Sequence, residues 1–368
     1  MSRRYIAIEL EPQAIHLAAA QQGEEGPRLE QVRTLPCGDQ EGQVDSLRSL
    51  QEELQPGLGE VVEVLLSASS GYARRLAYPF RNTRKLAAVV PPDFFSRLPV
   101  DSAELALASS HYEAEAGQSR VAVAGVERSL LRQVVDLFDA AEMPLSRATP
   151  LPWGLADNSE EAGRSLLIWL REEEVGLALS DGGEIRGHAL SPFPSQQVSE
   201  LVTWLLRQAE VLERRDGWEG LPVTLFGSGP EGLRAGLEDA GRTVRDSGLS
   251  IDDLPVSAAQ SRVAKLALAG AKARRPQGIN FLQGEFSPAG GWQGLLRPLR
   301  YSLGLAALVL LLGLITIGSG YLRKAREADR LDARALDLLK TTFPEIRTVQ
   351  DISLQMQSQM QQLRARSG

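Results

Sequence analysis

The chain has 368 residues, 43% hydrophobic and 24% charged, with 47 acidic against 40 basic side chains and a formal charge of −7. Basic residues are interspersed with acidic ones and form no basic face, which excludes nucleic acid as the main partner. A lone Cys37 excludes an intrachain disulfide, and the dispersed His16, His111 and His188 lack metal-ligand spacing.

The opening residues, MSRRYIAIEL, carry two arginines but no long apolar core and no small-residue cleavage site, so the N-terminal part is expected in the cytoplasm. Tyr5 to Leu10, Ala14 to Ala20 and Arg28 to Leu35 read as three strands joined by short turns. Val44, Leu47, Leu50 and Leu54 form a helical stripe, and Val61 to Leu66, apolar but for Glu63, reads as a strand. Strands followed by helix and strand predict an α/β layer. From Thr83 the pattern is helical, with a break expected at Pro91-Pro92, a turn at Leu98-Pro99 and then an extended segment to Glu113. Arg120 to Val126 is a strand, and Glu127 to Glu142 a helix with Leu130, Val134, Leu137, Phe138 and Ala141 on one face. Pro144 ends it, and Ser146 to Thr149 begins another strand.

The order then repeats. Leu166 to Leu170, Val175 to Leu179 and Ile185 to Leu190 are three short strands, the second closing on Asp181-Gly182-Gly183. A long helix, Gln196 to Arg214, buries Val198, Leu201, Val202, Leu205, Ala209 and Leu212. Val223 to Phe226 is a strand that runs through Gly227-Ser228-Gly229-Pro230 into a helix from Glu231 to Ala240. Three strands, a helix, a strand and a helix therefore occur twice, and the roughly 300 residues before residue 301 suffice for one bilobed unit or two packed domains.

Tyr301 to Leu322 contains no charge. As a helix it reaches roughly 33 Å, enough to cross a hydrocarbon layer about 30 Å thick, and a single membrane span is expected there. Arg297 and Arg300 precede it, whereas Arg323, Lys324, Arg326, Arg330, Arg334 and Lys340 follow it. That distribution opposes a cytoplasmic N-terminal domain; the loop-charge rule weakens beside a large domain, so the missing export signal decides the orientation. Gly304, Gly313, Gly318 and Gly320 show no GxxxG spacing, so no dimer motif is assigned within the span. Beyond it, Leu331, Ala335, Leu338 and Leu339 form one apolar stripe, Pro344 interrupts, and Ile352, Met356, Met360 and Leu363 form another. Such stripes on isolated helices need a partner, either a second copy of this chain or a neighbouring membrane subunit.

The duplicated order, with Leu98 to Tyr112 (LPVDSAELALASSHY) and Arg120 to Pro150 at its centre, resembles the actin-like ATPase superfamily, and within it the type IV pilus M protein and the type II secretion L protein (GspL). The linker Ile279-Asn280-Phe281-Leu282-Gln283-Gly284-Glu285-Phe286 is similar to the Asn-Leu-Leu-rich stretch before the membrane helix of L proteins, and Phe343 to Val349 with Gln355-Met356 resembles the segment after it. The resemblance implies an α/β, bilobed actin-like (RNase H-like) duplicated domain: a first lobe over 1–160 with an inserted subdomain at about 83–118, and a second over 161–275. A linker over 276–300, the span over 301–322 and a periplasmic helical segment over 323–368 would follow. The C-terminal ferredoxin-like domain of the family is expected to be missing, by truncation or by lineage.

The superfamily holds nucleotide on two phosphate loops, one at each lobe's first hairpin, where Asp and close-set glycines admit phosphate and Mg²⁺. Here the first hairpin reads Ile8-Glu9-Leu10-Glu11-Pro12-Gln13 and the second Trp169-Leu170-Arg171-Glu172-Glu173-Glu174, both without glycine. No catalytic residue, metal ligand or cofactor is therefore expected, and Gly227, Ser228 and Gly229 are at best a vestigial nucleotide turn. The implied role is a non-enzymatic inner-membrane scaffold of a type II secretion system. Its expected partners are the cytoplasmic secretion ATPase (GspE-like), the inner-membrane M subunit (GspM-like), the polytopic F subunit, a pseudopilin and a second copy as homodimer. Alternatives are a fused M/N-type pilus assembly protein and an active membrane-anchored actin-like ATPase.

Overall fold

The computed structural model describes residues 4–342, apart from 25, 58, 68, 70, 114–117, 157–162, 172–173, 193–196, 228, 247–255, 273–277 and 289, together with 357, 358, 360–362, 364 and 365. For 112–113, 246, 258–259, 290–308, 339–340 and 342 it describes the backbone alone. The chain divides into two units, Met1–Gly290 and Gly291–Gly368.

The first unit begins with an antiparallel meander, β1 (Arg4–Leu10), β2 (Ala14–Gln22) and β3 (Pro27–Pro36), in which Leu10 pairs with Ile15 and Ala14 with Pro36. Helix α1 (Gln40–Leu54) starts where the Asp39 carboxylate accepts from the Gly42 amide, satisfying one of the donors left free at a helix start. It buries Leu47, Leu50 and Leu54. Strand β4 (Val61–Leu66), buried throughout, returns parallel to β1. Its apolar residues fit a strand covered on both faces, and the one charged residue among them, Glu63, is buried with Tyr5, Arg147 and Thr149 as partners.

A separate three-stranded sheet follows. It consists of β5 (Gly71–Tyr78), β6 (Leu105–Glu113) and β7 (Ser119–Glu127) in the order β5-β7-β6, with helix α2 (Thr83–Phe95) between the first two strands. The break expected at Pro91-Pro92 does not occur: α2 runs through both prolines to Phe95. The two carbonyls that lose their donors, on Ala87 and Ala88, lie on the exposed face, where water can serve them. The other face buries Leu86, Val90 and Phe94 with Val121 and Val123 of β7, and this burial outweighs the lost bonds. Strand β5 and the pairing of this sheet were not anticipated, because only Leu76 and Tyr78 of GYARRLAY are buried.

Helix α3 (Arg128–Ala140) leads to β8 (Arg147–Pro150), which pairs parallel with β4 and completes a sheet in the order β3-β2-β1-β4-β8. A short buried helix, α4 (Leu151–Ala156), connects to the second meander: β9 (Arg164–Leu170), β10 (Glu174–Asp181) and β11 (Glu184–Pro192). Helix α5 (Val198–Asp216), β12 (Val223–Phe226), α6 (Leu233–Asp239) and β13 (Val244–Asp246) complete a sheet ordered β11-β10-β9-β12-β13. In both five-stranded sheets a meander is extended by parallel strands on its first strand's free side, so the duplication read from the sequence is a duplication of topology.

Helix α7 (Ala258–Lys272) follows the second sheet in the chain but packs against β1, β2 and β3 of the first. Close approach is possible because Gly270 has no side chain: a Cβ there would stand 2.4 Å from the Tyr5 ring. The helix buries Val263, Ala264, Leu266 and Ala267 in the first core, and also Arg262.

The chain is helical from Gly290 to Thr342, as helix α8 (Gly290–Thr342), all but its first residue in the second unit, and so exceeds the expected span at both ends. Its described apolar side chains from Val309 to Ile317 are 54–72% exposed. Among the described residues no helix is long and apolar enough to cross a membrane. The expected span is only partly covered by them: side chains at 301–308 lie outside the described residues, and an eighteen-residue window starting at Val309 already takes in Arg323, Lys324 and Arg326. The expected Phe343 to Val349 and Gln355-Met356 segments also lie outside them, as do Ile352 and Leu363 of the second stripe; Leu338 and Met360 are described and exposed.

Candidate functional site

The first hairpins of the two meanders converge. In the first, the Glu11 amide donates to the Ala14 carbonyl across the Glu11–Gln13 turn; in the second, the Arg171 amide donates to the Glu174 carbonyl. The space between them is occupied by the chain's own side chains. Arg262 reaches in from α7 with 1% of its side chain exposed. Its Nε donates to Glu9 Oε2 (2.8 Å), its Nη2 to Glu11 Oε1 (2.8 Å) and its Nη1 to the Leu170 carbonyl (2.7 Å). Arg171 closes the same group from the second hairpin, with Nη2 donating to the Leu10 carbonyl (2.8 Å) and Nε 3.1 Å from Glu9 Oε1.

Two carboxylates thus face two guanidinium groups in a largely buried site. Removing charges from water costs several kcal/mol each, recovered only when pairing and hydrogen bonds are nearly complete, as they are around Arg262. Burial pushes the Glu11 carboxyl up; the hydrogen bond from His16 and the charges of Arg262 and Arg171 outweigh it and hold the group down at about 2. Burial also opposes the charge of Arg262, but Glu9 and then Glu11 raise its pKa above the ordinary arginine value. Both Glu9 and Glu11 are therefore paired to arginine.

A third tie joins the sheets at the other end of the second hairpin. Glu174 accepts from Ser67 Oγ (2.6 Å) and the Ser69 amide (3.2 Å), both just beyond β4, and from Trp169 Nε1 (2.9 Å). Burial raises the Glu174 carboxyl, and these bonds together with the Arg171 charge lower it below its usual value. Glu172 and Glu173 lie outside the described residues. Beside the ties is an open cleft of 720 Å³, whose lining includes Glu11, Pro12, Ser67, Arg171 and Glu174, with Leu130 and Val134 of α3.

Gly227 takes φ +102°, and a Cβ there would stand 2.6 Å from the Leu170 carbonyl and 2.9 Å from Arg262 Nη1. Its backbone freedom serves close packing around Arg262. Gly229 packs on Leu233, and Ser228 lies outside the described residues. The histidines are apart: His16 bonds Glu11 and Thr34, His111 is exposed on β6, and burial lowers the pKa of His188 beside Trp153. Cys37 is a free, buried thiol. Among the described residues no group of His, Cys, Asp and Glu is placed to hold a metal ion.

The linker forms a second site. Ile279, Phe281, Leu282 and Phe286 are buried at 0–8% exposure against the first core. The Phe281 amide donates to the Ala148 carbonyl (2.9 Å), the Ala148 amide to Asn280 Oδ1 (3.0 Å), and Thr149 Oγ1 to the Ile279 carbonyl (2.9 Å). The segment therefore docks along β8, at one edge of the first sheet. Glu285 pairs with Arg128 and Arg132 of α3 at its far end. Neither Arg262 nor the docking surface was predicted; Arg262 is one of many arginines, and only the linker's own composition marked it.

No protein-family model and no curated protein sequence matches the chain. Solved structures do. The structure of the PilM-PilN type IV pilus biogenesis complex matches with TM-score 0.58 at 14% identity, over 73% of this chain and 99% of that one. The cytoplasmic domain of EpsL, an inner-membrane component of the type II secretion system of Vibrio cholerae, matches with TM-score 0.47 at 15% identity, over 77% and 100%. A Bacteroides thetaiotaomicron protein with an actin-like ATPase fold gives TM-score 0.42 at 10% identity, over 66% and 90%. The shared feature is architecture: the described N-terminal unit has the α/β fold of the matched PilM-PilN structure.

Proposed function

We propose that the chain is an inner-membrane assembly scaffold of a type II secretion system, with a catalytically silent actin-like domain. The observation that carries this reading is the Glu9–Arg262–Glu11 cluster with Arg171. Where an actin-like protein needs converging backbone amides for phosphate, this chain places carboxylates already paired to its own arginines. Opening the site to a triphosphate would leave a buried guanidinium or carboxylate unpaired, and neither hairpin has the glycines to replace them. No catalytic residue, cofactor or metal is assigned, and Gly227-Ser228-Gly229 remains at most a vestige.

The uncharged stretch Tyr301–Leu322 within the long helix Gly290–Thr342 supports a single membrane span, and the exposed apolar side chains from Val309 to Ile317 suit a lipid or subunit environment. In this reading the domain is cytoplasmic and the tail after the span periplasmic. The domain recruits the cytoplasmic secretion ATPase (GspE-like); the tail contacts the inner-membrane M subunit (GspM-like) or a second copy, and through them the F subunit and pseudopilin. A second reading, a fused M/N-type pilus protein, is favoured by the docked segment 279–286: the matched PilM-PilN structure is a complex of two proteins, and here the segment leading to the long helix is held by the same chain's domain.

The test is nucleotide binding and turnover by the purified chain, together with co-purification of a secretion ATPase. The reading requires capture of the ATPase without Mg²⁺-dependent ATP hydrolysis. Turnover that disappears in Glu9→Ala or Glu11→Ala would overturn it.

A further inference from the structure

A cavity of 250 Å³ lies away from the hairpins, where β5 of the three-stranded sheet faces β11 and α5. Five arginines line it: Arg74 and Arg75 from β5, Arg97 beyond α2, Arg186 from β11 and Arg215 from α5. No acidic residue does. Three of the arginines have carboxylate partners outside the wall: Arg75 with Asp216, Arg97 with Asp93, and Arg186 with Asp181 and Glu184. Among the described residues the other two bond only backbone carbonyls, Arg74 to that of Arg97 (3.1 Å) and Arg215 to that of Arg186 (2.7 Å). Two positive charges are left over.

Three buried donors on these lining residues also have no acceptor among the described residues: Arg75 Nη1, Arg186 Nε and Trp153 Nε1, the last on a side chain 3% exposed. Buried N–H groups without partners are rare in folded proteins, and guanidinium forks bind planar or tetrahedral oxyanions through paired bonds. We propose that this cavity binds a small phosphate-class oxyanion, either inorganic phosphate or the phosphate group of a soluble ester. A dianion matches the excess charge, its oxygens supply the missing acceptors, and it bridges the three-stranded sheet to the second five-stranded sheet. Occupancy would thereby fasten two parts of the first unit that are otherwise tied in this region by Arg75–Asp216 and Arg120–Glu184.

The experiment uses the full chain in detergent micelles, titrated calorimetrically with inorganic phosphate and, separately, with glycerol 3-phosphate, at ionic strength held constant with NaCl. Saturable binding at one site is expected, with a rise in melting temperature. Tighter binding of the ester assigns the site to an esterified ligand, and equal binding assigns it to phosphate itself. Arg215→Gln and Arg74→Gln, both on exposed side chains whose loss should leave the ligand-free melting temperature unchanged, should each weaken binding about tenfold, while Arg207→Gln on the exposed face of α5 should not. The proposal fails if NaCl alone reproduces the phosphate effect, if neither cavity variant changes binding, or if polyglutamate binds through these arginines while phosphate does not, which would make the surface a dock for an acidic protein.

Discussion

Arg262 and Glu9 stand 253 residues apart in the chain and 2.8 Å apart in the fold. The pairing exists because α7 returns from the second sheet to lie across the first, bringing a guanidinium to the meeting point of both hairpins. From there one side chain bonds β1 through Glu9, the first turn through Glu11 and β9 through the Leu170 carbonyl. The two sheets are thus fixed to one another by the residue that also fills the space between their hairpins.

Replacing Arg262 with Met should destabilise the chain by about 3–5 kcal/mol, because Glu9 and Glu11 lose a buried partner. Adding Glu9→Gln should recover part of that loss, since a neutral amide needs no counter-ion. Denaturant unfolding of the three proteins measures both effects. Equal midpoints for wild type and Arg262→Met would mean the cluster does not hold the lobes.

The pH dependence follows from Glu11. Its folded pKa of about 2 lies below the ordinary carboxylate value of 4.5, so its contribution is fully present above pH 4.5 and is lost as pH falls from there towards 2. Glu174, also lowered, adds in the same direction. Acid melting curves should therefore fall steeply below pH 4.5 in the wild type and less steeply in Glu11→Gln. Parallel curves would remove Glu11 from the acid transition.

Docking of residues 279–286 moves the functional end of the N-terminal domain. A fragment stopping at Arg275 exposes the groove that Ile279, Phe281, Leu282 and Phe286 fill, each of which gains about 1.5–3 kcal/mol from burial before entropy is charged against it. A fragment ending at Ser287 should melt well above one ending at Arg275, and Phe281→Ala should cost about 3–5 kcal/mol. Indistinguishable melting of the two fragments would show that the segment is not held in solution.

Much of the architecture was legible because it is periodic. Apolar runs in Tyr5 to Leu10 and Leu166 to Leu170 marked strands, and the stripes of Leu47, Leu50 and Leu54 or Leu201, Leu205 and Leu212 marked helices, so the duplicated order could be read directly. Local patterns failed where tertiary packing decides. Pro91 and Pro92 end helices in isolation, but α2 buries Phe94 and continues. Helix α7 carries apolar residues at Val263, Leu266, Ala267 and Ala271, a helical spacing, yet no pattern states that it crosses to the first sheet. The hairpins' lack of glycine was visible; that Arg262 fills the gap was not, because nothing local links it to Glu9. The arginine cavity was equally hidden, since Arg74, Arg97, Arg186 and Arg215 come from four separate parts of the chain.

The proposed membrane span and the tail beyond it can be tested separately. If Tyr301–Leu322 only spans, length and apolarity are its requirements, and a leucine-rich helix replacing Leu303 to Ile317 should support secretion with little loss. The helix beyond has a different requirement. Leu338 and Met360 are 67% and 58% exposed, so a charge at either position costs little in the chain alone. In the assembly they should be covered by the M subunit, and a carboxylate buried there without a partner costs several kcal/mol. Leu338→Asp combined with Met360→Asp should therefore abolish secretion and loss of M-subunit co-purification should accompany it, while the N-terminal domain still melts normally and still captures the ATPase. Full secretion by the charged double mutant, or failure of the leucine-rich replacement with the tail intact, would assign the coupling to the helix over 301–322 instead of the tail.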